Sequence, residues 1–128
     1  MKQYHSLAYV LKQISQNPEK YKCVFEGRPK KFKFGAQNYG EIPNLYNRAD
    51  GDPWDIFAPG YKSNFKLHSF FVIDKVIGVF FLEDGNHKIA VRLKDELLCS
   101  QKYENEIIEK YANRYLKYTK KKGVYINF

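Results

Sequence analysis

The sequence predicts a mainly β chain with α, built as a small β-barrel under helical cover. Three observations predict it: five or six short runs of aromatic and β-branched residues, clusters of turn formers between them, and one sustained helical period late in the chain. At 128 residues the chain fits a single domain, 1–128. Folding at that length hides roughly two-thirds of the surface the open chain exposes, so a real interior is possible without staples.

Taken in order, Leu7, Val10, Leu11 and Ile14 recur at offsets of three and four, which predicts a short amphipathic helix that Asn17-Pro18 stops. Tyr21 to Phe25 is aromatic and β-branched and runs into Gly27 and Pro29, a strand closed by a turn, with Phe32 to Phe34 as its expected partner. Between Gly35 and Tyr61 the chain fills with Gly, Pro, Asn and Asp, which predicts loop, the kind of segment that carries sites. His68 to Ile73, Ile77 to Leu82 and Lys88 to Leu93 predict three strands in an antiparallel meander, with Glu83-Asp84-Gly85-Asn86 turning between the last two. Lys102 to Tyr118 places Tyr103, Ile107, Ile108, Tyr111 and Tyr115 at helical spacing, with acids early and bases late as the helix dipole prefers. That is the long C-terminal helix; Lys120-Lys121-Lys122-Gly123 breaks it, and Val124 to Phe128 returns as a last strand.

Hydrophobic residues at 44% with 17% aromatics exclude disorder by composition. No apolar run approaches the ~20 residues of a membrane span, and Met1 to Val10 does not read as an export signal, so a cytoplasmic protein is expected, with no membrane partner. Cys23 and Cys99 are too few for a disulfide scaffold and lack metal-ligand spacing. Twenty-two Lys and Arg against 14 Asp and Glu give a net charge of +8, which favours anionic partners such as polyphosphates, nucleotides or nucleic acid. A lysine-rich surface with no specific partner fits the same numbers.

Against that background Asp50-Gly51-Asp52-Pro53-Trp54-Asp55 puts three carboxylates within six residues. Such crowding is costly unless cations share the site, and hard divalent ions such as Mg²⁺ take oxygen ligands of this kind. On an extended segment Asp50 and Asp52 project to one side, and the bend at Gly51 and Pro53 can bring Asp55 round. A calcium EF-hand is excluded: Pro53-Trp54 interrupts the ligand spacing and Tyr61 stands where the terminal Glu belongs. The plainer alternative is that Asp-Gly and Asp-Pro simply form turns.

Asn38-Tyr39-Gly40-Glu41-Ile42-Pro43-Asn44 followed by Asp50-Gly51-Asp52-Pro53-Trp54-Asp55-Ile56 resembles the core signature of the family I soluble inorganic pyrophosphatases, where N-Y-G-x-I-P leads into D-G-D-P-x-D. Ile77-Gly78-Val79 through Glu83-Asp84 to Lys88-Ile89-Ala90-Val91 is similar to that family's next strand, acidic turn and K-I-x-A-V strand, so the likeness spans about residues 22 to 92 in order. The resemblance implies an OB-like five-stranded β-barrel with a short N-terminal helix and a long C-terminal helix, and Mg²⁺-dependent hydrolysis of pyrophosphate to two phosphates. By position it implies Asp50, Asp52, Asp55 and Asp84 as metal ligands and Asp52 as the group taking the proton from the attacking water. It also implies Tyr39, Lys31, Lys88, Tyr115 and Lys117 at the substrate, and Glu26 at the metal through water or a second layer of contacts. Assembly as a homo-oligomer is the family's common state.

Three departures accompany the likeness. The substrate hairpin before Asn38 is short, leaving Arg28 or Arg48 as stand-ins for an arginine. The acidic loop after Asp84 shrinks to Gly85-Asn86-His87. In the last helix Leu116 falls where a lysine is expected, with Lys117 one place late and turned by about 100°. They motivate an alternative: a catalytically weakened barrel that binds nucleic acid or a phosphate ligand through aromatics on a cationic surface. Hydrolysis of another diphosphate, such as a nucleotide, is a third reading. His5, His68 and His87 share no ligand spacing and are expected in ordinary core or surface roles.

Overall fold

The computed structural model describes residues 3–27, 36–61 and 68–94 and, in the C-terminal part, 109, 110, 112, 113, 116, 117, 120 and 122–128; at 26, 27, 36–38 and 59–61 only the backbone is described. Among the described residues the helix α1 (Leu7–Gln16) and a 3₁₀ turn (Pro18–Lys20) precede six strands: β1 (Lys22–Gly27), β2 (Ala36–Tyr46), β3 (Pro53–Tyr61), β4 (Phe70–Leu82), β5 (Lys88–Leu93) and β6 (Gly123–Asn127). Pairing runs β1-β2-β3-β5-β4, and β4 pairs back onto β1, so five strands close into a barrel and β6 extends the sheet outside β4. The neighbours are antiparallel except β3 and β5, which run parallel.

The expected helix is in place. Ser6 caps α1 by accepting from the Tyr9 amide at 3.1 Å, Val10 and Ile14 are its buried face, and Pro18 starts the next turn where no further helical bond can form. The loop expected from Gly35 to Tyr61 is corrected: β2 and β3 occupy most of it. Local composition lost to long-range pairing there, because barrel closure uses glycine and irregular register inside strands. The β2–β3 register shifts between Ile42 and Tyr46, around Asn44 at φ 72°, and Gly40 lies so close to β1 that a Cβ there would sit 2.3 Å from the Val24 carbonyl oxygen. Replacing Gly40 with Ala is therefore expected to destabilise the fold by about 3 kcal/mol through forced backbone separation, read as a lowered urea midpoint.

The two strands expected in 68–73 and 77–82 are one strand, β4, which changes partners along its length, from β1 at 70–72 to β5 and then to β6. Asp74-Lys75 sits inside it where the pairing with β5 is irregular, which is why the alternation breaks there. Phe32 to Phe34 and most of the expected long C-terminal helix lie outside the described residues. Of that helix, 109, 110, 112, 113, 116 and 117 have helical backbone, with Ala112 and Leu116 buried and Asn113 and Lys117 exposed, one covered face.

Two cores result. Phe25, Ile42, Trp54, Ile56, Ile73, Ile89, Val91 and Leu93 fill the barrel, with Val10 and Ile14 of α1 packed onto them. On the opposite face of the same strands Phe57, Phe80, Leu82 and Ala90 pack with Ala112 and Leu116. Cys23 is a buried free thiol, its pKa pushed well up by that burial, and no helix among the described residues is long and apolar enough to cross a membrane.

Candidate functional site

Strand alternation decides which residues reach the second face. Trp54 and Ile56 point into the barrel, so Asp55, between them, points out with Phe57. Because β3 and β5 run parallel with Ile56 opposite Ile89, Asp55 stands beside Lys88. The Lys88 Nζ donates to Asp55 Oδ2 at 2.6 Å, with the lysine side chain 5% exposed and the carboxylate 18%. The same ammonium lies 5.7 Å from the centre of the Tyr39 ring, which tilts onto Phe57, and the ring contacts continue through Phe80 to Tyr125. Burial, and then the Glu109 carboxylate, holds the Tyr125 phenol well above its usual range, and Ala112 and Leu116 of the helical C-terminal segment pack on this same face. Glu41 is the cross-strand register partner of Asp55, a carboxylate that motif reasoning did not assign.

Two turns meet at the adjoining end of the barrel. In the β2–β3 turn Asn47 accepts at Oδ1 from the Ala49 amide and donates from Nδ2 to the carbonyl of Gly85, which has φ 79°, at 3.4 Å. Asn47 is only 4% exposed, so a buried amide ties this turn to the β4–β5 turn. Its role was hidden because a lone Asn before a turn carries no signal of a distant partner. Asp50 and Asp52 are exposed here and do not project side by side from an extended segment: 48–52 is a tight turn in which Asp50 Oδ1 accepts from the Asp52 amide at 2.9 Å. Asp84, also exposed, accepts from the Asn86 amide in the same way. The Asp52 carboxylate itself has no hydrogen bond or ion pair among the described residues.

The N-terminal segment completes this end. The His5 amide donates to the Tyr46 carbonyl while His5 Nδ1 accepts from the Tyr46 amide, and the Trp54 indole donates to the His5 carbonyl at 2.9 Å. Tyr4, His5, Arg48, Trp54, Gly85 and His87 line a cavity of about 440 Å³, with the Arg48 guanidinium over the Tyr4 ring. His87 Nδ1 accepts from the Leu82 amide at 2.9 Å; burial lowers its pKa, Asp84 pulls it up and Lys88 pushes it down, with burial dominant. A histidine depressed in the folded state binds its proton more readily when unfolded, so the stability it contributes is full above the unfolded value near 6.5 and is lost as pH falls through the folded value. In metal-free buffer, denaturation from pH 7.5 to 5 is expected to show stability falling with acid, and His87→Gln, which retains an acceptor, is expected to flatten that slope. An unchanged slope assigns it elsewhere.

Of the other sequence-predicted residues, Lys31 and Tyr115 lie outside the described residues, as does Arg28, and at Glu26 only the backbone in β1 is described. Lys117 is exposed, whereas Leu116 beside it is buried against the barrel. Among the described residues no three His, Cys, Asp or Glu side chains are grouped so as to hold a metal ion. The donors nevertheless fit Mg²⁺ in kind. They are carboxylate oxygens on two turns in contact, and the buried Asn86 Oδ1, in the same turn as Asp84, is an acceptor with no hydrogen-bond partner among the described residues.

No protein-family model matches the sequence, and no curated protein gives a significant match. Solved structures do. The chain is similar to the inorganic pyrophosphatase of Helicobacter pylori, with TM-score 0.60 and 18% identity over 83% of each chain. It is similar to an inorganic pyrophosphatase from Coxiella burnetii, with TM-score 0.57 and 12% identity over 83% of each chain. The inorganic pyrophosphatase of Ehrlichia chaffeensis gives TM-score 0.56 and 14% identity over 83% of this chain and 84% of that one. At such identities the likeness is one of architecture, and this chain has the fold of the inorganic pyrophosphatases.

Proposed function

We propose that the protein hydrolyses inorganic pyrophosphate to two phosphates on the face that carries Asp55 and Lys88, with Mg²⁺ as its cofactor. The observation that carries this reading is the buried Lys88 to Asp55 pair beside two touching carboxylate turns, on a pyrophosphatase fold. Pyrophosphate repels a nucleophile by its own negative charge, so its oxygens must be neutralised before water can attack. Lys88 supplies one fixed cation for that purpose, held without rotamer freedom by Asp55 and the Tyr39 ring. Asp50, Asp55 and Asp84, joined by the Asn86 amide oxygen, are the oxygen donors that would hold Mg²⁺, and Glu26 is assigned to their outer layer. When bound, the ion supplies charge neutralisation and a lowered water pKa. Asp52, with a solvent-facing carboxylate, takes the proton from the attacking water. Tyr39, Lys31, Tyr115 and Lys117 are proposed around the substrate, with Lys117 reaching it only from the helix edge. The test is phosphate release from pyrophosphate by the purified chain, with Mg²⁺ and after chelation. Release that requires the ion supports the reading, and none in either condition overturns it.

Two observations favour a second reading, a barrel that binds diphosphate or another phosphate ligand without turning it over. Lys88 already neutralises Asp55, and Leu116, buried at the position expected for a lysine, brings no charge to the ligand. Calorimetric binding of pyrophosphate with no phosphate release selects it.

A further inference from the structure

Away from the Lys88–Asp55 pair, neither of which lines it, the 3₁₀ turn, β1, the irregular end of β2 and the first residue of β4 enclose a groove of about 560 Å³. Lys20, Tyr21, Lys22, Val24, Leu45 and Phe70 are among its lining, and among the described residues no carboxylate is. Phe70 is 61% exposed, an unusual state for a phenylalanine at the start of a thirteen-residue strand. It pairs with Val24 across β1 and β4, so both face outward while Cys23 and Phe25 face the core.

Cations accompany the rings. Lys22 Nζ lies 4.8 Å from the Phe70 ring centre and Lys20 Nζ 5.8 Å from that of Tyr21. Neither lysine is in an ion pair among the described residues, and the adjacent Glu19 carboxylate is held by Lys94. An exposed ring has a π-face for an unpaired base, and the two ammonium groups stand where the flanking phosphates would run. A duplex keeps its base faces stacked inside and cannot use such a ring. The chain's charge of +8 draws a polyanion to this surface in the first place.

We propose that this groove binds single-stranded nucleic acid, one base stacking on Phe70 and the backbone phosphates meeting Lys20 and Lys22. The site is separate from the Asp55 and Lys88 face and stands whether or not pyrophosphate is hydrolysed. The test is fluorescence anisotropy of a fluorescein-labelled twelve-nucleotide oligo-dT titrated with the whole chain at several salt concentrations. Phe70→Ala is expected to weaken binding roughly 10-fold, the loss of one stacked base. Lys20→Ala with Lys22→Ala is expected to reduce the slope of log K against log salt by roughly 1.4, two phosphate contacts at about 0.7 each. Phe70→Trp retains the π-face and is expected to bind at least as tightly as the wild type, which separates stacking from any folding defect of the alanine variant. The proposal is overturned by absence of wild-type binding at 50 mM salt, by equal affinity of Phe70→Ala, or by an unchanged salt slope. Equal competition by a duplex or by polyglutamate overturns it as well, since either shows a merely cationic surface.

Discussion

Asp52→Asn is expected to lower pyrophosphate hydrolysis by about 10²- to 10⁴-fold, the usual contribution of a positioned general base, while leaving the fold intact. Both expectations follow from how the turn is built. The Asp52 amide donates to Asp50 Oδ1 and its carbonyl accepts from the Asn47 amide, so the backbone of Asp52 holds the turn and its side chain does not. An amide keeps the size and hydrogen-bonding reach of the carboxylate but cannot take a proton from water. Exposed substitutions of this kind usually stay within about 0.5 kcal/mol in stability. Steady-state phosphate release with Mg²⁺, with urea denaturation of the same preparations, checks both. Wild-type rates in the variant remove Asp52 from the mechanism, while a large stability loss makes its role structural.

Lys88→Met is expected to destabilise the protein by about 3 kcal/mol, the lower end for removing one partner of a buried ion pair. The lower end applies because the Asp55 carboxylate retains some access to water while Lys88 is almost wholly enclosed. Methionine fills the space of the lysine stem but takes away the cation that Asp55 meets at 2.6 Å, next to a face built for ring packing. The urea midpoint is expected to fall by about 1.5 M for a dependence near 2 kcal/mol per molar urea. Adding Asp55→Asn to Lys88→Met removes the carboxylate along with its cation and is expected to recover part of the loss, since contacting residues are not additive. A single variant within 0.5 kcal/mol of wild type would show that the pair is not isolated from water. The Lys88 variant is also expected to hydrolyse pyrophosphate poorly, because the fixed cation of the site is gone.

These two residues differ in how visible they were beforehand. Asp52 stands inside a dense local motif, although the exposed turn that carries it is the plainer alternative offered by the Asp-Gly and Asp-Pro pairs and not the extended segment expected first. Lys88 was assigned to a substrate anion by its motif, yet its nearest partner is Asp55, thirty-three positions away, brought beside it by the parallel pairing of β3 with β5. Glu41, Asn47 and Asn86 were not assigned at all. Glu41 acquires its place from a cross-strand pairing and Asn47 from a turn-to-turn contact, neither of which leaves a periodic trace in the chain, while Asn86 sits in a local turn with Asp84.

The sequence by itself determined the class of the fold, the α1 helix with its Asn17-Pro18 stop, β5 to the residue, the terminal strand and the chemical character of the Asp50 to Asp55 segment. Local hydrophobic spacing and local turn chemistry suffice for those. The tertiary structure alone decided that the Gly- and Pro-rich stretch from 36 to 61 is two barrel strands, that β4 is continuous, and which carboxylate meets which cation. Strand pairing is a long-range interaction: its stabilisation comes from residues far along the chain, and it overrides weak local preferences wherever closing the barrel buries an apolar face.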